Sequence, residues 1–119
     1  MDWSKALDVA QGDQQLLKEV VEAFLDEYPR RLDQIRAAIR DSKPAEMRIG
    51  AHTIKSSLRY LGATCAFDRA YKLECMGIES RFEGADDELE LLEIDLDRIK
   101  SVLVTFVETG EFEDPAESP

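Results

Sequence analysis

The chain has 119 residues, 44% of them apolar and 34% charged, with a formal net charge of −11. That length supports one small domain with a real core. The acidic balance excludes a nucleic-acid binder, which needs cations to neutralise phosphates, and argues against docking on an anionic membrane.

The first predicted element is a short helix from Asp2 to Ala10, with Asp2 as its cap and Trp3, Leu7 and Ala10 on one face. Gln11-Gly12-Asp13 breaks it: Gly12 suits a helix end, and Asp13 the next N-cap. From Asp13 to Arg40 a long helical pattern follows, with Leu17, Val21, Phe24, Tyr28, Leu32, Ile35 and Ile39 at spacings of three and four. Pro29 interrupts it, and a kink is expected there because the stripe keeps its phase on both sides. Pro44 then opens a third long segment that ends at Gly62, a natural left-handed residue. Its stripe is Met47, Ala51, Ile54, Leu58 and Leu61.

A further helix is predicted from about Thr64 to Glu83, with mostly small inward residues, Ala66, Ala70, Leu73 and Gly77, that let a neighbour approach closely. Asp86-Asp87 opens the last helix, Asp87 and Glu90 forming an approximate capping box. Leu89, Leu92, Leu96, Ile99, Leu103 and Phe106 make its near-heptad seam, read as bundle core. Residues 108–119 hold five acids, two prolines and no base, which reads as an acidic disordered tail or linker stump behind a bundle of residues 1–107. No segment alternates with period two for long, so a sheet is not expected. The fold class is therefore all-α: an antiparallel up-down four-helix bundle with a short N-terminal capping helix.

No stretch approaches the roughly 20 apolar residues that span a bilayer. Met1-Asp2-Trp3-Ser4 lacks the basic start and apolar run of a signal peptide, so a cytoplasmic location is expected. Cys65 and Cys75, carried on one helix, stand about 15 Å apart along its axis, too far for a disulfide. Two thiols and one histidine at this spacing do not make a zinc site, and no metal site is expected.

His52 is the only histidine. It lies off the Met47–Leu61 stripe, with Arg48, Ile49, Lys55 and Ser56 one turn away and Arg59 a turn further on. An exposed imidazole beside a lysine and two arginines meets phosphate as both nucleophile and cationic cradle. The equipment of most enzymes is missing: there is no glycine-rich phosphate loop, no G-x-S-x-G elbow and no Glu-x-x-His motif. Ser56 lies within reach of His52, but neither an orienting carboxylate nor an oxyanion hole is evident, which disfavours a Ser–His nucleophile.

Ala51-His52-Thr53-Ile54-Lys55-Ser56-Ser57, followed by Leu61-Gly62-Ala63, resembles the signature of histidine-containing phosphotransfer (HPt) domains, roughly A-H-T-L-K-G-S and then L-G-A. The layout is similar too, over about residues 2–107: short first helix, long proline-interrupted second, histidine on the third, two more helices. The resemblance implies a phosphorelay intermediate. His52 would accept a phosphoryl group from the aspartate of a response-regulator receiver domain and pass it to another receiver. Lys55 would pair with phosphoryl oxygens and Arg59 and Arg48 would add field, while Ser56, standing where the family usually has glycine beside the arriving partner, would hydrogen-bond a phosphoryl oxygen through its hydroxyl. The resemblance also implies receivers and a hybrid histidine kinase as partners, a monomeric phosphocarrier rather than an enzyme, and no cofactor of its own, since the receiver brings Mg²⁺. Ala45 and Ile49 flank His52 and suit a modest, transient docking surface.

Two other readings fit the same residues. One is the phosphoacceptor domain of a chemotaxis-type histidine kinase, which has a similar histidine motif and takes phosphate from ATP through a separate catalytic domain. The other is a helical adaptor whose histidine is incidental.

Overall fold

Five helices carry the fold in the structure, a computed structural model that describes residues 1–114: α1 (Trp3–Val9), α2 (Gln14–Arg40), α3 (Pro44–Leu61), α4 (Thr64–Ile78) and α5 (Ala85–Thr109). There is no strand among the described residues. The helix starts follow the predicted cap chemistry. Asp2 accepts a hydrogen bond from the Lys5 N–H and Asp13 one from the Leu16 N–H, each satisfying a donor that the first turn leaves unpaired. Pro44 occupies the first turn of α3, where its missing N–H costs nothing.

Gly62 closes α3 in the left-handed region, with φ of 64°. A side chain there would also collide with the chain start, since an added Cβ would stand 2.7 Å from Asp2 Cβ. The Asp2 N–H donates to the Leu61 carbonyl at 3.2 Å, so this turn anchors the N-terminus.

The long helices form a closed ring. Helix α2 packs against α3 and α5, and α4 against the same two, while α1 lies on α3 and α2. The connections between long helices are short, at 41–43, 62–63 and 79–84, and short connections place successive helices antiparallel. The predicted stripes meet in the centre: Leu17, Val21, Ile35, Met47, Ile54, Leu58, Leu61, Leu73, Leu92, Leu96 and Leu103 are all essentially inaccessible to solvent. Each such side chain contributes on the order of 1.5–3 kcal/mol through burial.

Some expectations need correction. Ala38, not Ile39, takes the last buried place on α2. Helix α4 ends at Ile78, not near Glu83. Its inward stripe has no member beyond Gly77, and Ser80 turns left-handed at φ 54°. The Arg81 N–H then bonds the Met76 carbonyl at 2.8 Å and the Ser80 N–H bonds the Gly77 carbonyl at 3.2 Å, a Schellman closure. Helix α5 begins at Ala85 after Gly84, with no side-chain cap, so the capping box of Asp87 with Glu90 does not form. Asp86, Asp87 and Glu88 instead complement the helix dipole from the first turn.

The described chain stays against the bundle beyond residue 107. Helix α5 continues through Glu108 and Thr109, and Phe112 lies 5.3 Å from the Phe106 ring. The rest of the predicted tail, residues 115–119, lies outside the described residues. Helix α2 runs through Pro29 as one element.

Candidate functional site

His52 sits mid-α3, on the side away from the buried stripe, and its side chain keeps 59% of its accessible surface. Its neighbourhood differs from the one expected. The nearest charged partner is a carboxylate: Glu74 Oε2 lies 2.5 Å from His52 Nδ1. Glu74 belongs to α4 and is buried. Its other oxygen, Oε1, accepts a hydrogen bond from Lys55 Nζ at 2.8 Å.

Close helix packing places Glu74 there. One turn along α4, Gly77 lies directly against the α3 backbone. A Cβ on it would stand 2.8 Å from Arg48 N and 2.9 Å from the Pro44 carbonyl oxygen. The small inward face of α4 thus brings its carboxylate within reach of the imidazole.

This arrangement answers a chemical question the sequence left open. An ionised carboxylate only accepts hydrogen bonds, so it assigns the imidazole proton to Nδ1. Nε2 then carries the free lone pair, on a ring whose side chain is 59% exposed. Burial pushes the Glu74 carboxyl up, but the hydrogen bonds from Lys55 and His52 outweigh it and hold the group below the ordinary carboxylate value. Glu74 is therefore charged at neutral pH.

Lys55 is not on an open face. Its side chain is only 12% exposed, its ammonium is paired with Glu74, and it stands 5.1 Å from the Tyr71 ring centroid. Ser56 is half-buried, and its hydroxyl donates to the His52 backbone carbonyl at 3.0 Å. The Arg59 guanidinium lies 5.6 Å over the Phe67 ring, at the edge of a cavity shared with Lys5 and the start of α4. Arg48, Ala45 and Ile49 are exposed. The structure therefore gathers His52, Lys55 and Glu74 into one hydrogen-bonded unit. It leaves Arg48 and Arg59 outside that unit.

Glu74 is the residue that sequence reasoning missed. A signal existed: it lies four residues after Ala70 and beside Leu73, a charge on the flank of an apolar stripe. No group of three metal-ligating side chains that could hold an ion occurs among the described residues.

The Hpt domain model matches residues 19–102, which include His52, Lys55 and Glu74. The chain belongs to the Hpt domain family. No curated protein and no solved structure matches it. HPt domains are phosphocarrier modules of two-component signalling, where they work with receiver domains and histidine kinases in phosphorelays. No helix of this HPt domain among the described residues is long and apolar enough to cross a membrane.

Proposed function

We propose that His52 is the phosphoacceptor of this HPt domain and that it relays a phosphoryl group between two response-regulator receivers. The observation that carries the reading is the Glu74 contact at Nδ1, which leaves Nε2 of an exposed side chain free as nucleophile.

In the forward step, the Nε2 lone pair attacks the phosphorus of a receiver's aspartyl phosphate in line. The N–P bond forms, the P–O bond to the aspartate breaks, and the aspartate leaves as a carboxylate. The imidazole keeps its proton on Nδ1 and becomes cationic, and the Glu74 carboxylate stabilises that charge. Transfer to a second receiver reverses the same step. The receiver supplies Mg²⁺ and the acidic pocket that holds it. Lys55 holds Glu74 in place and lends positive field to the phosphoryl group, rather than clamping it from an open surface. Arg48 and Arg59 add field at longer range. Ala45 and Ile49 flank His52 as docking contacts, and Ser56 leaves room for the receiver. The domain acts as a monomeric phosphocarrier in the cytoplasm and does no chemistry without its partners.

The test is incubation with phosphorylated receivers of the same organism, and in parallel with a histidine kinase and ATP. The expected product is an acid-labile, base-stable phosphate that is absent from His52→Gln. An acid-stable phosphate on Ser56 or Ser57 would contradict the proposal. Labelling by a kinase with ATP, with no exchange to or from any receiver, would favour the chemotaxis-type reading. Partner binding and signalling that survive His52→Gln intact would favour the adaptor.

A further inference from the structure

Helix α1 is the least supported element of the bundle. Seven residues are far too few for a helix to persist alone in water. It contacts α3 and α2 through Ala6 and Ala10, and it has no extended packing on α5. What ties its first turn to α5 is a cluster of three rings. Trp3 lies 5.0 Å from Phe106 and 5.1 Å from Phe112, and Phe106 lies 5.3 Å from Phe112. The Trp3 indole N–H donates to the Glu113 carbonyl at 2.7 Å, and the Gln14 side-chain amide donates to the Gly110 carbonyl at 3.1 Å. Gly110, at φ 77°, is the left-handed residue that turns the chain back for these contacts.

We propose that residues 110–113 are a clasp that sets the seating of α1, and through α1 the shape of an apolar groove on the α1–α2–α3 face. Ala6, Val9 and Ala10 form one wall of that groove, a cavity of about 130 Å³, opposite Leu16, Val20 and Tyr60. Loosening α1 removes the wall. The clasp is built to open: Phe112 keeps 44% of its surface exposed, so it holds by two ring contacts and two hydrogen bonds and not by deep burial. The groove lies beside the His52 face, further along α3. Tyr60 lies eight residues from His52 along α3, about 12 Å along the axis and about 80° around it, which is within the span of a standard interface of about 800 Å² per partner. On the phosphotransfer reading, the receiver covers this groove as it docks, so the clasp regulates docking. The clasp itself does not depend on that reading.

Hydrogen exchange on the full chain tests it. Phe112→Ala should speed exchange of the Ala6, Leu7 and Ala10 amides by about tenfold, leave the α3 and α4 amides unchanged, and shift Trp3 emission to the red. Trp3→Phe keeps a ring in the cluster but loses the bond to Glu113, so it should give a smaller acceleration. Unchanged α1 exchange in both variants would overturn the clasp. So would equal acceleration in every helix, which would mean that Phe112 supports the whole fold. With a phosphorylated receiver, Phe112→Ala should raise KM several-fold at unchanged kcat. A loosened α1 with unchanged KM would break the link from clasp to docking. Absence of transfer to the unaltered chain would count against the phosphotransfer reading and leave the clasp standing.

Discussion

Glu74 and His52 sit on different helices, yet the Glu74 carboxylate lies 2.5 Å from His52 Nδ1 while its second oxygen holds Lys55 at 2.8 Å. One buried carboxylate therefore decides both the proton position on the imidazole and the place of the nearby ammonium. The motif histidine and lysine are a pair joined through α4.

Glu74→Gln keeps the shape and removes the charge. The amide has one acceptor and one donor end, and it now faces two donors, Nδ1–H and the Lys55 ammonium. Phosphotransfer should slow by roughly 10- to 100-fold, because the proton is no longer fixed on Nδ1 and the imidazolium loses its counter-charge. Rapid-quench transfer rates beside circular dichroism would check this. Wild-type rates in a folded variant would remove Glu74 from the mechanism.

Lys55→Ala should cost about 1–3 kcal/mol of stability, since it strips the partner from a buried carboxylate. This exceeds the cost of truncating a free surface lysine, which is typically within about 0.5 kcal/mol. Lys55→Met, which restores the stem over Tyr71 but not the charge, should recover part of the packing and none of the ion pair. Urea unfolding of the three proteins separates the two contributions.

Gly77→Ala should push α4 away from α3. The new Cβ meets backbone atoms at Arg48 and Pro44, which cannot rotate aside as a side chain would. A stability loss of about 1–3 kcal/mol is expected from such overpacking, together with slower phosphotransfer as Glu74 retreats from His52. Thermal melts and transfer rates measured on one preparation test both. Unchanged values would show that the helices separate freely.

The depressed Glu74 carboxyl predicts a pH dependence with a definite sign. A group held below its ordinary value of 4.5 contributes stability that is fully present above that value and is lost as pH falls through the folded one. The stability gap between the wild type and Glu74→Gln should close in the acid range, as the carboxylate is protonated. Denaturant melts from pH 7 downwards measure it. A gap that stays unchanged to the acid end of the range would contradict the assigned charge.

Ser56→Gly should lower stability by about 0.5 kcal/mol on helix propensity. The hydroxyl is already spent on the His52 carbonyl, so labelling of His52 should change little while receiver preference broadens. Profiling against a panel of receivers reads this. A collapse in labelling would place the hydroxyl on the phosphoryl group instead.

Much of the molecule was legible from one-dimensional periodicity. The stripes through Leu17–Ile35, Met47–Leu61 and Leu89–Phe106 marked their helices because a buried helix face must repeat its apolar residues every three or four positions. Asp2, Asp13, Pro44 and Gly62 marked the ends because orphan backbone groups and positive φ select those residue types. The exposure of His52 followed from the same geometry, since a residue opposite a buried stripe faces water. Where the pattern thins, the ends are not marked: beyond Gly77 no buried residue follows on α4, and Asp86-Asp87 read as a cap although the N-cap position is Gly84, which has no side chain.

The sequence by itself determined which segments are helical, which faces are buried and which side chain is the nucleophile candidate, because each is a property of a single helix. Tertiary structure alone decided that Glu74 meets His52, that Lys55 is covered, and that Phe112 returns to Trp3. Those contacts join residues 22, 19 and 109 positions apart. They depend on how closely two helices approach and how they turn against each other, and no periodicity within one helix encodes that distance.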